Sequence, residues 1–472
     1  MNIRLSRERF LLAVAMVCAI GVLSGVRAAR GEGGEPRYFA ITNARIVPVS
    51  GPVIENGTIV IAKGLIQSVG TGVAIPPEAW VIDGKGLTVY PGLIDAGTDL
   101  GLPKPPAPPG GGRPAGAPAS SGEPILGPEG RPGTSPWRVA ADEIKIDDKR
   151  IQEWRNAGFT TALTTPDGGI FPGQGTIIDL GGERAGDFIV KPAATLQVAF
   201  TPTGGFFGFP DSLMGTIAYV RQVFDDTSWY RQAEPVYEAN VTKFERIPYD
   251  RTERAIADAQ SRNEIVLLPA NTSIQILRAL RLSGEWKLPA VIYGGQQGYA
   301  VVSAIAGKKI PVLVNLKWPE LAKDADPEAE QTLRELRFRD RAPSTPAALA
   351  KAGVKFAFYS DGLTGPKDIF KSLKKATDSG LAPEAALRAL TLDAAEILGA
   401  GDRMGSIQPG RIANLVVTDG DIFNEKTKVK QVFVDGRWYP IHEEAKPSDK
   451  PGDAKPESAG ISATAVLAEV GR

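Results

Sequence analysis

Histidine and cysteine are nearly missing from this chain of 472 residues, which holds one of each, His442 and Cys18. That scarcity removes the nitrogen and sulfur donors from which zinc sites are usually built. A lone cysteine also excludes an intrachain disulfide and a dithiol redox pair. Charge of one sign is not in excess either, because Lys+Arg and Asp+Glu both total 54. With no basic stripe, neither nucleic acid nor an anionic membrane surface is an expected partner. No Walker loop, dinucleotide glycine fingerprint or Gly-x-Ser-x-Gly elbow is present, so nucleotide-phosphate cradles and serine-hydrolase elbows drop out. With the only histidine at the edge of a charged tail, a Ser-His-Asp triad has little to stand on.

One long apolar run is present, from Phe10 to Val26, preceded by Arg4, Arg7 and Arg9 and followed by Val26-Arg27-Ala28. A positive start, an apolar centre and a small-residue cleavage site read as an export signal over residues 1–31. The expected address is periplasmic or secreted, with no membrane association after cleavage. An uncleaved anchor is the competing reading. Cys18 lies inside this run, so the mature chain is expected to carry no thiol.

Glycine and proline are plentiful, at 53 and 38 residues. They mark many turns and two stretches too poor in apolar residues to pack, a Pro/Gly-rich loop over 103–136 and a charged tail over 443–472. His442 beside Glu443 and Glu444 reads as part of that solvated tail.

Between Tyr38 and Tyr90, short alternating runs such as Thr58–Ile61 and Leu65–Val69 read as antiparallel strands. A second set, Ala413–Val417 and Val429–Val434 before the turn Asp435-Gly436, lies near the other end. The expectation is one β-domain with an N-terminal part over 38–90 and a C-terminal part over 401–441. Residues 91–400 alternate β-branched runs with helical patterns, as parallel βα units do. Strands are expected at Val89–Ile94, Thr160–Thr164, Glu264–Leu268, Ala290–Tyr293, Pro311–Asn315 and Lys355–Tyr359. Helices are expected at Ile274–Leu282, Lys367–Ser379 and Pro383–Leu398. Nothing between Thr176 and Arg262 locates strands three and four.

Two segments carry a family likeness. Tyr90-Pro91-Gly92-Leu93-Ile94-Asp95-Ala96-Gly97-Thr98-Asp99 resembles the first-strand signature of the amidohydrolase superfamily, in which Pro-Gly-Leu-Ile-Asp precedes a His-x-His pair. Thr391-Leu392-Asp393-Ala394-Ala395 through Gly410-Arg411-Ile412-Ala413-Asn414-Leu415 resembles the family's passage from the last barrel helix into the β-domain. Similarity extends over about residues 38 to 441 and is closest to exported imidazolonepropionase-like members, including Ala157-Gly158-Phe159-Thr160-Thr161 and Gly173-Gln174-Gly175. The resemblance implies an α/β fold, a (β/α)8 TIM-like barrel with a small β-sandwich domain built from both chain ends.

It also implies a metal-bound water at the barrel mouth, yet the ligand positions are altered. Gly97 and Asp99 stand for the His-x-His pair, Asn271 in Pro269-Ala270-Asn271 for the fifth-strand ligand, and Gly294 for the sixth-strand histidine. Asp361, in Tyr359-Ser360-Asp361-Gly362, matches the family aspartate that binds metal and shuttles the proton, and is the candidate catalytic residue. Asp99, Asn271, Lys317 and Gln174 are candidates for ligand binding or electrostatic work.

Two functional readings follow. In the first, the chain is a degenerate member without zinc catalysis and without a cofactor, which binds a small molecule or pairs with an intact amidohydrolase. In the second it is an active hydrolase on non-peptide carbon–nitrogen bonds. Asp361 then works with Lys317 or with a divalent metal held by carboxylates, for which Asp99 and Asp361 are the weak candidates. A homo-oligomer fits either reading. Asp361 as a relic of the fold and Asp99 as an ordinary strand-end residue remain a third, plainer account.

Overall fold

The computed structural model describes residues 38–103, 131–203, 209–286, 289–321, 326 and 330–441. The expected export signal, most of the Pro/Gly-rich loop, Phe206, Phe207, His442 and the tail lie outside the described residues.

Two eight-stranded sheets organise the chain. The first takes β1 (Tyr38–Ile46), β2 (Ile54–Ala62), β3 (Leu65–Gly70), β4 (Trp80–Asp83) and β5 (Thr88–Pro91) from one end. The second comprises β6 (Leu93–Thr98), β7 (Phe159–Thr164), β8 (Gln174–Asp179), β9 (Ile189–Gln197), β10 (Ile265–Ala270), β11 (Ala290–Gly294), β12 (Val312–Asn315) and β13 (Phe356–Tyr359). The chain then returns to the first sheet with β14 (Leu415–Thr418), β15 (Val429–Val434) and β16 (Arg437–Pro440). The first sheet follows the order β16-β15-β14-β5-β1-β2-β3, with β4 against β1. In place of two expected layers, its strands from both ends share one hydrogen-bonded path, joined where β14 pairs antiparallel with β5.

The expected strand at Val89–Ile94 divides between the two sheets at Gly92. A Cβ there would lie 2.0 Å from Thr160 Oγ1, so the crossing admits only glycine without displacing β7. Asp435, at φ 49°, and Gly436, at φ 71°, close the β15–β16 hairpin, as a two-residue turn with both φ values positive should.

The second sheet is a barrel in the order β6 to β13, but it is not uniformly parallel. β8 runs antiparallel to both β7 and β9, and the remaining pairs are parallel. The cause is local. Residues 165–173 alone connect β7 to β8, and a parallel return needs a crossover of a dozen residues or more. The (β/α)8 expectation therefore holds for the strand number and fails for the third unit.

Elsewhere helices cover the barrel: α1 (Lys149–Asn156), α2 (Leu213–Ala239), α3 (Arg251–Ser261), α4 (Ser273–Trp286), α5 (Val302–Lys308), α6 (Leu333–Arg341), α7 (Thr345–Lys351) and α8 (Pro366–Asp378). The helix expected over Pro383–Leu398 is two, α9 (Pro383–Ala389) and α10 (Leu392–Ile397), because Thr391 leaves helical geometry at φ −135°, ψ −96°. Its hydroxyl donates back to Leu387 O at 2.7 Å. That break turns α10 under the barrel. There Ala394, Ala395, Ile397 and Leu398 pack with the interior residues Ile94, Leu163, Ile177, Leu267, Val291, Leu313 and Ala357.

The barrel closes between β6 and β13 through a buried carboxylate. Asp95 accepts hydrogen bonds from Ser360 N at 3.0 Å, Gly97 N at 3.3 Å and Trp154 Nε1 at 3.1 Å, and from the Ser360 hydroxyl. Burial pushes its pKa up to about 6 although all four bonds pull it down. Asp179, beneath the barrel between Thr161 Oγ1 and Asn414 Nδ2, is raised by burial to about 7.

A carboxyl whose folded pKa exceeds its unfolded value stabilises most fully below the unfolded value, and that contribution is lost as pH rises through the folded pKa. Asp95 alone carries on the order of 3 kcal/mol of such dependence, about two units at 1.36 kcal/mol each. The share of the unfolding free energy that Asp95 and Asp179 supply should therefore fall between about pH 4 and 7, and Asp95→Asn and Asp179→Asn should each remove a falling part from the measured slope. Urea denaturation across the range reads it, and an unchanged slope in both variants would refute the assignment.

Candidate functional site

A cavity of about 460 Å³ opens at the barrel mouth, lined by residues that include Phe200, Asn271, Arg278, Tyr293, Asn315 and Asp361. Most of the polar members end or follow a barrel strand, whereas Gln275 and Arg278 stand on α4. Its volume lies in the range of small-molecule sites.

Asp361 follows β13 and is fixed through its backbone, its N–H donating to Gly97 O at 3.2 Å across the barrel seam. Its Oδ2 accepts from the Tyr293 hydroxyl at 3.2 Å, and its carbonyl accepts from Asn315 Nδ2 at 3.3 Å. The residue keeps solvent-accessible surface, yet it sits low in the mouth, and burial raises its pKa above the ordinary carboxylate value. The Tyr293 hydrogen bond and the Lys317 ammonium oppose that rise, and the charges of Asp99 and Asp167 add to it.

Tyr293 and Tyr359 stack with ring centroids 4.2 Å apart and an interplanar angle of 21°. Burial raises both phenols most, with Tyr359 and then the charge of Asp361 adding to the rise at Tyr293 and Asp361 adding to it at Tyr359, so each is a neutral hydroxyl at physiological pH.

The two glycines at expected histidine positions have their side-chain space taken by neighbours. A Cβ on Gly97 would lie 3.1 Å from Tyr293 Cε2 and 3.2 Å from Tyr359 Cβ. At Gly294, with φ 120°, a Cβ would lie 2.4 Å from Asn271 Oδ1 and 3.1 Å from Ala270 O. The volume that strand-one and strand-six imidazoles would use is thus filled by a tyrosine pair and a carboxamide.

The other expected site residues part company. Asn271 lines the cavity with Asp361. Asp99 does not line it; Arg150 Nη1 holds its carboxylate at 2.5 Å, and Arg150 is itself clasped by Asp148. Asp99 therefore acts on Asp361 through its field and not across a shared ligand. Lys317 is exposed at the rim, with its stem against Gly362, and makes no ion pair with Asp361. Gln174 is buried away from the cavity: its Nε2 donates to Pro136 O at 2.8 Å and its Oε1 accepts from Arg262 at 3.2 Å. It ties residue 136 to the start of β8, a structural task. Phe209 packs edge-on against Tyr219, with centroids 5.9 Å apart.

Tyr293, Tyr359, Asn315 and Arg278 escaped the sequence reading. Tyr293, Asn315 and Tyr359 each stand at the end of an expected strand, and that position is the signal that points to them.

The family's metal does not fit these donors. The mouth offers one carboxylate, three carboxamides and two neutral phenols. Among the described residues no three His, Cys, Asp or Glu side chains are grouped to hold an ion.

The packing makes a direct prediction. Gly294→Ala should destabilise by about 2 kcal/mol or more, since it combines a positive φ with a clash against the Asn271 side chain and a tight approach to the Ala270 carbonyl. Adding Asn271→Ala should restore only part of the loss, because φ and the Ala270 carbonyl remain. Thermal unfolding of the single and double variants reads this, and full restoration would show that crowding by Asn271 was the whole cause.

Comparison with known proteins agrees with the architecture. The model of the family described as Amidohydrolase family matches residues 319–439, from the end of β12 into β16. The amidohydrolase tasK of Hapsidospora irregularis is 22% identical over 433 residues, covering 80% of this chain and 39% of that protein. The chain thus spans about two-fifths of the length of that relative. An amidohydrolase structure from Thermotoga maritima MSB8 superposes with a TM-score of 0.69 at 25% identity, over 85% of this chain and 100% of the other. A further amidohydrolase structure, 20% identical with a TM-score of 0.52, covers 86% and 100% and speaks for the fold alone. The barrel, the sheet shared by both chain ends and these matches lead to one conclusion: the chain is similar to amidohydrolases in its fold, and its residues 319–439 match the family's model.

Proposed function

We propose that this chain is an exported amidohydrolase-fold protein whose barrel mouth binds a small molecule without zinc-type hydrolysis. One observation carries the reading: the space beside Gly97 and Gly294 is occupied by Tyr293, Tyr359 and Asn271. Zinc catalysis needs a ring of good donors with one open position, which lowers the pKa of bound water to near neutrality. Here Gly97 and Gly294 bring no donor, Asn271 brings a neutral carboxamide, and Asp99 is engaged by Arg150. Loss of one ligand can be met by a neighbour, whereas the first and sixth positions here supply no donor and have neighbours packed where a side chain would start.

A second reading rests on Asp361. Its raised pKa and its place in the cavity suit a general base for hydrolysis of a carbon–nitrogen bond, with Lys317 or an oxygen-bound cation as the electrophile.

Metal analysis separates the two. The mature protein purified without added metal should contain well below about 0.1 equivalent of zinc, against one equivalent for a filled structural or catalytic site, and chelator should leave its melting temperature unchanged. Stoichiometric zinc would sink the first reading. If the second holds, a panel of cyclic and linear amides should show turnover that Asp361→Asn lowers by at least about a hundredfold, the scale of a lost general base. Turnover equal in wild type and variant would remove Asp361 from the chemistry.

A further inference from the structure

The charges around the mouth are of both signs and lie on different elements. Arg278, half-buried on α4, lines the cavity, and among the described residues no ion pair or hydrogen bond engages its guanidinium. Other arginines of this region are paired: Arg221 meets Glu285 at 2.8 Å, Arg281 of the same helix meets Glu285 at 3.3 Å, and Arg262 meets Glu264 at 2.7 Å. A planar guanidinium on the wall of a cavity and without a counter-ion among the described residues is a receptor for a carboxylate.

Asp361 presents the opposite chemistry. Its Oδ2 is bonded to Tyr293, while among the described residues Oδ1 has no donor. The stacked rings of Tyr293 and Tyr359 stand beside it. A carboxylate next to aromatic faces favours an ammonium group, through direct charge and through the ring quadrupole. Lys317 does not fill this role, since it is exposed at the rim and forms no ion pair with Asp361. Phe200, Leu213, Pro269 and Ala270 supply apolar wall between the two charges.

We infer that the ligand of this mouth is a small zwitterion, with its ammonium group against Asp361 and the tyrosine pair and its carboxylate against Arg278. This deepens the reading of the mouth as a binding site without zinc and rests on it. The Asn271 carboxamide and Gln275 Nε2 are left to hydrogen-bond the polar groups between the two ends.

Calorimetric titration of the full mature protein with ω-amino acids from β-alanine to 6-aminohexanoate tests the inference, with valerate and pentylamine as singly charged controls. At least one member of the series should bind about tenfold or more tighter than either control, the scale of one ion pair in a partly buried site. Arg278→Gln should erase the advantage over pentylamine, and Asp361→Asn the advantage over valerate, with both variants melting as wild type does. Pentylamine or valerate binding as tightly as every zwitterion, or no zwitterion binding at all, would overturn the proposal. Metal content of the same preparation keeps the two readings apart. Stoichiometric zinc would defeat the metal-free reading even where a zwitterion binds, whereas zinc-free protein that ignores the series would defeat this inference alone.

Discussion

The barrel depends on the seam between its first and last strands, and that seam is held by one carboxylate. Asp95 gathers two backbone N–H groups, an indole N–H and a hydroxyl, none of which has another partner at that depth. The arrangement fixes Ser360 directly and therefore fixes Asp361, the next residue, whose own N–H bonds to Gly97 O. The same two strands bring Gly97 under the rings of Tyr293 and Tyr359. Closure of the fold and shape of the mouth are thus one piece of hydrogen bonding. The cost is a buried negative charge, which is why the pKa of Asp95 is raised even among four donors.

The antiparallel third strand changes what the far side of the mouth is made of. A βα unit would place a helix outside that strand; here the strand is covered by hairpin partners on both sides and by the segment that Arg131 anchors. Arg131 reaches Asp226 of α2, and Asp250 and Glu253 at the start of α3, all within 3.0 Å. Three carboxylates around one guanidinium leave a net negative cluster, and burial there is tolerable only because each oxygen in contact accepts a charge-assisted hydrogen bond. Gln174 extends the same tie from β8 to Pro136. Residues 131 and 136 are thereby tied to α2, α3 and β8 by polar contacts.

Much of this architecture was legible in the sequence. Strand ends at Thr164, Asn315 and Tyr359 agree with the β-branched and aromatic runs, because a strand buried on both faces reads as an unbroken apolar stretch. The two families of strands at either end announced one shared β-domain, although as a sandwich and not as the single sheet they form. The third barrel strand was hidden for a physical reason. Gln174-Gly175-Thr176-Ile177-Ile178-Asp179 begins and ends polar, its central pair is short, and its direction is set by the length of the loop before it. In the mouth, the missing imidazoles were evident from composition, but their replacements were not. Tyr293 and Tyr359 read as ordinary strand residues, since nothing in sequence says that residues separated by two further barrel units stack on each other. Asp99 and Asp361 carry like charges near one another, and only the coordinates reveal that Arg150 takes the first for itself.

The tyrosine pair explains why the mouth has settled into its present chemistry. Removing imidazoles from a barrel centre leaves a void lined by polar strand ends, and a void of that kind forfeits contacts unless something fills it. Small residues at positions 97 and 294 with large ones at 293 and 359 keep the volume occupied, and the hydroxyls stay bonded to Asp361 and to each other's surroundings. Burial of each ring contributes on the order of 2 kcal/mol, so the stacked pair is a stable part of the wall. An ammonium group leaves that packing undisturbed. It needs one carboxylate oxygen and a ring face, both already held in place by the seam at Asp95.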